Sequence, residues 1–109
     1  VFEYRAQAVK VIDGDTLDLD VDLGFNVTFR ARFRLLDVSA PELTAKDPVE
    51  RQKAVATKRK FEELIAAAPF QLTVKTVKDR QEKYGRYLAT IIAGDVDINA
   101  ALNKFLREY

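Results

Sequence analysis

Residues 16–36 read TLDLDVDLGFNVTFRARFRLL. Leu17, Leu19, Val21 and Leu23 alternate with Asp18, Asp20 and Asp22. After Gly24 the alternation resumes through Val27, Phe29, Ala31, Phe33 and Leu35, with Thr28, Arg30, Arg32 and Arg34 between them. A period of two marks a half-buried strand, and a glycine between two such runs marks a turn. The stretch therefore predicts an antiparallel hairpin with Leu17, Leu19, Phe29, Phe33 and Leu35 in the core.

Upstream, YRAQAVKVID (residues 4–13) has the small and β-branched residues of a first strand that ends at Gly14. Downstream, DPVERQKAVATKRKFEELIAAAP (residues 47–69) changes period. Asp47 can cap, Pro48 suits the first helical position, and Glu50 stands three after the cap, a helix-start signature. Phe61 and Ile65 fall on its apolar face. FQLTVKTV (70–77) and RYLATIIA (86–93) read as two further strands, with Leu72 and Val74 inward. DINAALNKFLREY (97–109) returns to helical spacing, with Leu102 on the inner face. The order is β-β-β-α-β-β-α over a single domain, residues 1–109. It is a mainly β fold with helices, and it matches a five-stranded OB-fold Greek-key barrel, an architecture that often binds oligonucleotides.

The 109 residues contain no cysteine and no histidine, and 18 Lys and Arg against 17 Asp and Glu give a net charge of +1. Disulfides, thiolate metal sites and imidazole bases are excluded. A metal site built from oxygen alone favours hard cations. Near-neutral charge means that any anion binding comes from local placement. No apolar run is long enough to span a membrane. Val1 rather than methionine opens the chain, and secreted and cytoplasmic placements both stay open. On spacing alone, Arg34 continues the polar face of Arg30 and Arg32, and Asp13 and Asp15 are turn formers.

Three stretches carry more. VIDGDTLDLD (11–20), FRLLDVSAPE (33–42) and EKYGRYLATI (82–91), in this order and with a helix between the last two, resemble the staphylococcal nuclease (thermonuclease) family; DINAALNKFL (97–106) resembles its following helix. The resemblance implies a calcium-dependent phosphodiesterase that cuts DNA and RNA; a monomer is expected. It implies Asp15 and the backbone carbonyl of Ala40 as calcium ligands, Arg34 and Arg86 as clamps on the scissile phosphate, and Glu42 as general base. Lys83 and Tyr84 would contact a neighbouring phosphate.

One position departs. The family carries a second calcium-binding aspartate where this chain has Ser39, which removes one negative charge from the ligand set. Asp37 lies two residues upstream and would share a strand face with Ser39 if the strand continued. Asp37 and Ser39 are thus either a relocated ligand pair or a broken site. The first reading gives a nuclease. The second gives a catalytically weakened OB-fold module that binds nucleic acid or protein.

Overall fold

The computed structural model describes residues 2–68, 72–76 and 85–109. In chain order these form β1 (Phe2–Asp13), β2 (Thr16–Asp22), β3 (Thr28–Leu35), α1 (Pro48–Ala66), β4 (Leu72–Thr76), β5 (Tyr87–Ala93), β6 (Val96–Asp97) and α2 (Ile98–Glu108).

The hairpin read from residues 16–36 is present, in the register Thr16↔Arg34 through Asp22↔Thr28. β1 is long enough to serve two partners. Its first half pairs with β4 and most of its length with β2, both antiparallel. Register shifts between Ala8 and Lys10 and between Val11 and Asp13 add local twist, which lets one strand curl around the sheet. The order β3-β2-β1-β4-β5 then closes on itself, because β3 pairs with β5 in parallel from Phe33↔Tyr87 to Leu35↔Ala89. The result is a closed five-stranded mixed barrel with two helices.

Inside lie Leu17, Leu19, Leu35, Leu72, Val74 and Ile91, all at most 1% exposed. α1 starts as its sequence signature requires: the Asp47 carboxylate accepts from the Val49 N–H at 2.9 Å, with Pro48 at the first turn. Its buried Ala54, Thr57, Phe61 and Ile65 form the stripe that faces the barrel. Asp97 caps α2 by accepting from the Ala100 N–H at 3.0 Å. Ile98, Asn99 and Leu102 are the buried residues of that helix.

Two features differ from the sequence expectation. β6, only two residues long, pairs with the end of β5 and leads straight into α2; so short a strand has no period to read. Phe29, expected in the core, is 41% exposed. β3 meets β5 only from Phe33 onward, so its first half overhangs the barrel and its inner face lacks a cover. Leu23 and Val27 are exposed for the same reason. The period assigns the side a residue faces, not how far the opposing wall extends.

Candidate functional site

The turn between β1 and β2 is Asp13-Gly14-Asp15-Thr16. The Asp13 carboxylate accepts from the Asp15 N–H at 3.1 Å, the local bond expected of a turn former. Gly14 has a tertiary reason to be glycine. A Cβ there would lie 2.7 Å from the Ala40 Cβ and 2.7 Å from the Thr57 Cγ2. The turn is wedged between the loop after β3 and the flank of α1, and only a residue without a side chain fits.

That wedge buries Asp15 to 8% exposure. One carboxylate oxygen, Oδ2, accepts from the Ala40 N–H at 3.1 Å; the other accepts from the Thr16 hydroxyl at 3.0 Å. Burial pushes the Asp15 pKa up, and the neighbouring Asp13 pushes it further; the bonds from Ala40 and Thr16 only partly offset this. The Arg34 guanidinium stands 3.7 Å from Asp15 Oδ2, close enough for attraction and beyond hydrogen-bond distance.

The three arginines of β3 separate into two kinds. Arg30 forks onto Asp20 at 2.7 and 2.9 Å, and Arg32 onto Asp18 at 2.9 and 3.2 Å, each directly across the ladder. The same partners hold the Asp18 and Asp20 carboxyls below their ordinary pKa. Arg34 occupies the next rung, where the residue opposite is Thr16 rather than an aspartate. The basic stripe is therefore held in forked pairs over two rungs, while at the third Arg34 has only the looser ion pair with Asp15 at 3.7 Å.

Arg86 completes the group. It stands one residue before β5, after Gly85 at φ 83°, and its Nη1 donates to the Thr16 hydroxyl at 3.1 Å. Thr16 passes the polarity on by donating to Asp15. Asp15, Thr16, Arg34, Ala40 and Arg86 thus share one place, where the β1–β2 turn, the end of β3 and the start of β5 meet.

The loop after β3 is held from α2. Asn99 is buried, and its Nδ2 donates to the carbonyls of Leu36 (3.0 Å) and Ala89 (3.1 Å) while its Oδ1 accepts from the Ile91 N–H at 3.0 Å. Asn103 Nδ2 donates to the Asp37 carbonyl at 3.1 Å. Val38 plugs into the core. Neither asparagine was singled out in the sequence, because a polar residue in an amphipathic helix reads as solvent-facing.

The loop after β3 carries most of the other residues named from the sequence. β3 ends at Leu35, so Asp37 and Ser39 do not share a strand face. Asp37 turns the chain at φ 60°, a left-handed conformation that aspartate tolerates better than most residues. Its side chain and that of Ser39 are exposed. Ala40 donates its N–H to Asp15. Glu42 is exposed, and its side chain makes no ion pair or hydrogen bond among the described residues. Among the described residues no three Asp or Glu side chains gather as a metal cluster. Lys83 and Tyr84 lie outside the described residues. No helix among the described residues is long and apolar enough to cross a membrane.

No protein-family profile matches the chain. It is 32% identical over 89 residues to Protein ParB of Escherichia coli, a similarity that takes in 82% of this chain and 42% of that protein. The chain thus spans less than half the length of this relative.

Proposed function

We propose that this domain is a phosphodiesterase that hydrolyses DNA or RNA. The observation that carries this reading is the pair of arginines brought together beside buried Asp15: Arg34, the one arginine of β3 without a forked aspartate, and Arg86, anchored on Thr16. A phosphodiester is an anion that gains charge on its phosphoryl oxygens as it is attacked. Two guanidiniums match those oxygens in geometry and oppose that charge. Glu42, exposed in the loop that Asn99 and Asn103 hold in place, is free to take a proton from an attacking water. The chain has no histidine for that task.

The resemblance to thermonucleases brings calcium with it. Asp15 is the carboxylate that would hold a cation here, and the cation would neutralise phosphate charge. Calcium takes six to eight oxygens, and among the described residues Asp15 has Asp13 beside it but no third carboxylate. The donor set fits a weakly held hard cation, with most of its shell left to water and phosphate, rather than a closed cage.

The test is hydrolysis of single-stranded DNA and of RNA with calcium titrated from zero to millimolar excess, against an EDTA control. Cleavage that rises with calcium and stops with EDTA supports the reading; no cleavage at any calcium concentration overturns it. A second reading has its own observation. Exposed Ser39 in place of an aspartate favours a weakened module that binds nucleic acid or protein without cutting it. Oligonucleotide binding without hydrolysis would select it.

A further inference from the structure

Where β3 overhangs the barrel, its mouth opens into a cavity of about 330 Å³. Four aromatic rings line it, from Tyr4 on β1, Phe29 and Phe33 on β3 and Tyr87 on β5, with Val21 and Leu23 completing the wall. Three of the rings are in contact through Tyr87. Phe33 and Tyr87 have centroids 5.7 Å apart, and Phe29 meets Tyr87 edge-on at 5.9 Å. None of the described lining residues carries a charge.

A second observation is independent of the rings. Thr76, the last residue of β4, also lines this cavity and is 4% exposed, and its buried Oγ1 has no hydrogen-bond partner among the described residues. A buried hydroxyl left unpaired is costly and unusual. A wall of apolar rings with one orphaned polar atom is complementary to a particular chemistry. The matching ligand is planar and uncharged, with a face for the rings and an edge that offers hydrogen-bonding groups.

The position narrows the choice. Phe33 precedes Arg34 on β3, Tyr87 follows Arg86 into β5, and Phe33 and Tyr87 are partners in the parallel pairing. Phe33 and Arg34 are consecutive on β3, so their side chains face opposite sides of the strand, Phe33 into the barrel and Arg34 away from it; a nucleotide held by the arginine reaches the cavity only around the strand's edge. From Thr28 to Arg32 the corresponding edge of β3 is unpaired with β5, so a strand can pass over it from the arginines to the mouth.

We propose that this cavity is a base subsite, which takes one unpaired nucleobase of the strand whose phosphate Arg34 and Arg86 hold. The proposal rests on the reading of the domain as acting on nucleic acid, and it deepens that reading by naming the substrate as single-stranded. A base stacked in a duplex is not free to enter a cavity, whereas aromatic platforms take unpaired bases of any sequence. The volume suits one base, being at the lower end of the range for ligand pockets, roughly 300 to 1,000 Å³.

The test uses thymidine and adenosine, which carry no phosphate and so report on the cavity alone. Binding to the full chain is followed by tyrosine fluorescence and by the ring resonances of Tyr4, Phe29, Phe33 and Tyr87. Two variants accompany the parent. Phe29→Ala acts at an exposed position and leaves the core intact; it is expected to weaken nucleoside binding about 5-fold or more, the worth of one stacking contact. Thr76→Val keeps the shape and removes the orphaned hydroxyl. It is expected to raise the melting temperature and lower nucleoside affinity together, a combination that a purely structural role would not produce.

A second arm compares a short single-stranded oligonucleotide with its abasic counterpart. The abasic strand is expected to bind the parent more weakly, and that difference is expected to shrink in Phe29→Ala. Nucleosides that leave the four rings unperturbed, or variants that bind as the parent does, overturn the proposal. Nucleoside binding without any strand cleavage leaves the subsite standing and removes the phosphodiesterase. Cleavage indifferent to the abasic change and to Phe29→Ala removes the subsite and leaves the phosphodiesterase standing.

Discussion

Arg86 donates to the Thr16 hydroxyl over 3.1 Å, which ties the residue that opens the approach to β5 to the first residue of β2. Across the ladder from the same Thr16 stands Arg34. One small hydroxyl thus occupies the rung between two guanidiniums, with the Asp15 carboxylate 3.7 Å from Arg34.

Conservative replacement should expose the difference between the arginines. Arg34→Lys and Arg86→Lys are each expected to lower cleavage about 100-fold, the usual cost of one lost charge-stabilising donor, because an ammonium cannot form the fork. Arg30→Lys and Arg32→Lys should leave cleavage unchanged and alter stability by less than about 1 kcal/mol, as exposed ion pairs do. Parallel rate measurements and melting curves on the four variants check this. Equal losses in all four would show a diffuse electrostatic effect and not a clamp.

Glu42→Gln keeps the size of the side chain and removes its basicity. Hydrolysis should fall about 100-fold or more, within the range for a lost general base, while oligonucleotide affinity holds. Loss of both in equal measure would assign Glu42 to binding and not to proton transfer.

Asp15 sets a pH dependence with an unusual sign. Its folded pKa is raised above the ordinary 3.8, mainly by burial. Below 3.8 both folded and unfolded chains carry the proton, and the site costs nothing. As pH rises from there through the folded pKa, the unfolded chain releases its proton more easily, and stability is lost. Asp15→Asn should therefore melt higher than the parent at neutral pH without calcium, with the gap closing in acid. Calcium, which binds the folded state, should raise the melting temperature of the parent and not of the variant. A variant that melts lower than the parent at neutral pH would refute the burial argument.

Gly14→Ala places a methyl group 2.7 Å from both Ala40 Cβ and Thr57 Cγ2. Overpacking of this kind costs about 1–3 kcal/mol, readable as a lower denaturation midpoint in urea. Thr57→Ser, which removes Cγ2, should restore part of the loss in the double variant. Full stability in Gly14→Ala alone would mean that the turn moves freely against α1.

Ser39→Asp is expected to tighten calcium binding and raise activity at low calcium. Asp37→Asn should matter little to either, since asparagine also tolerates the left-handed turn that Asp37 makes. Calorimetric calcium titrations of the parent and both variants decide the matter. A large loss in Asp37→Asn would make its side chain a ligand after all.

The hairpin, both helices and the barrel's inner faces were legible because each is a local pattern: alternation from Leu17 to Leu35, the cap formed by Asp47 and Pro48, the helical spacing around Leu102. Barrel closure is a contact between β3 and β5, more than fifty residues apart by the Phe33↔Tyr87 pairing, and no window of sequence contains it. That is why the exposure of Phe29 was misjudged. Asp15, Arg34 and Arg86 were named by motif, and the fold brings them together. Thr16, Asn99 and Asn103 went unnoticed, since their roles exist only once a distant backbone group arrives beside them. The expected strand face joining Asp37 to Ser39 failed because β3 ends at Leu35 and the chain turns at Asp37, which no composition reveals.

Asn99 satisfies three backbone groups at once: the Leu36 and Ala89 carbonyls and the Ile91 N–H. The amide hydrogen of a barrel strand is therefore guarded by a side chain from a helix. In deuterated water, Ile91 should exchange at the rate at which α2 lifts off, rather than at the slower rate of opening the whole barrel. The same lifting frees Leu36, Asp37 and the segment that carries Glu42, so the lifetime of that one amide is a clock for how long the loop stays assembled.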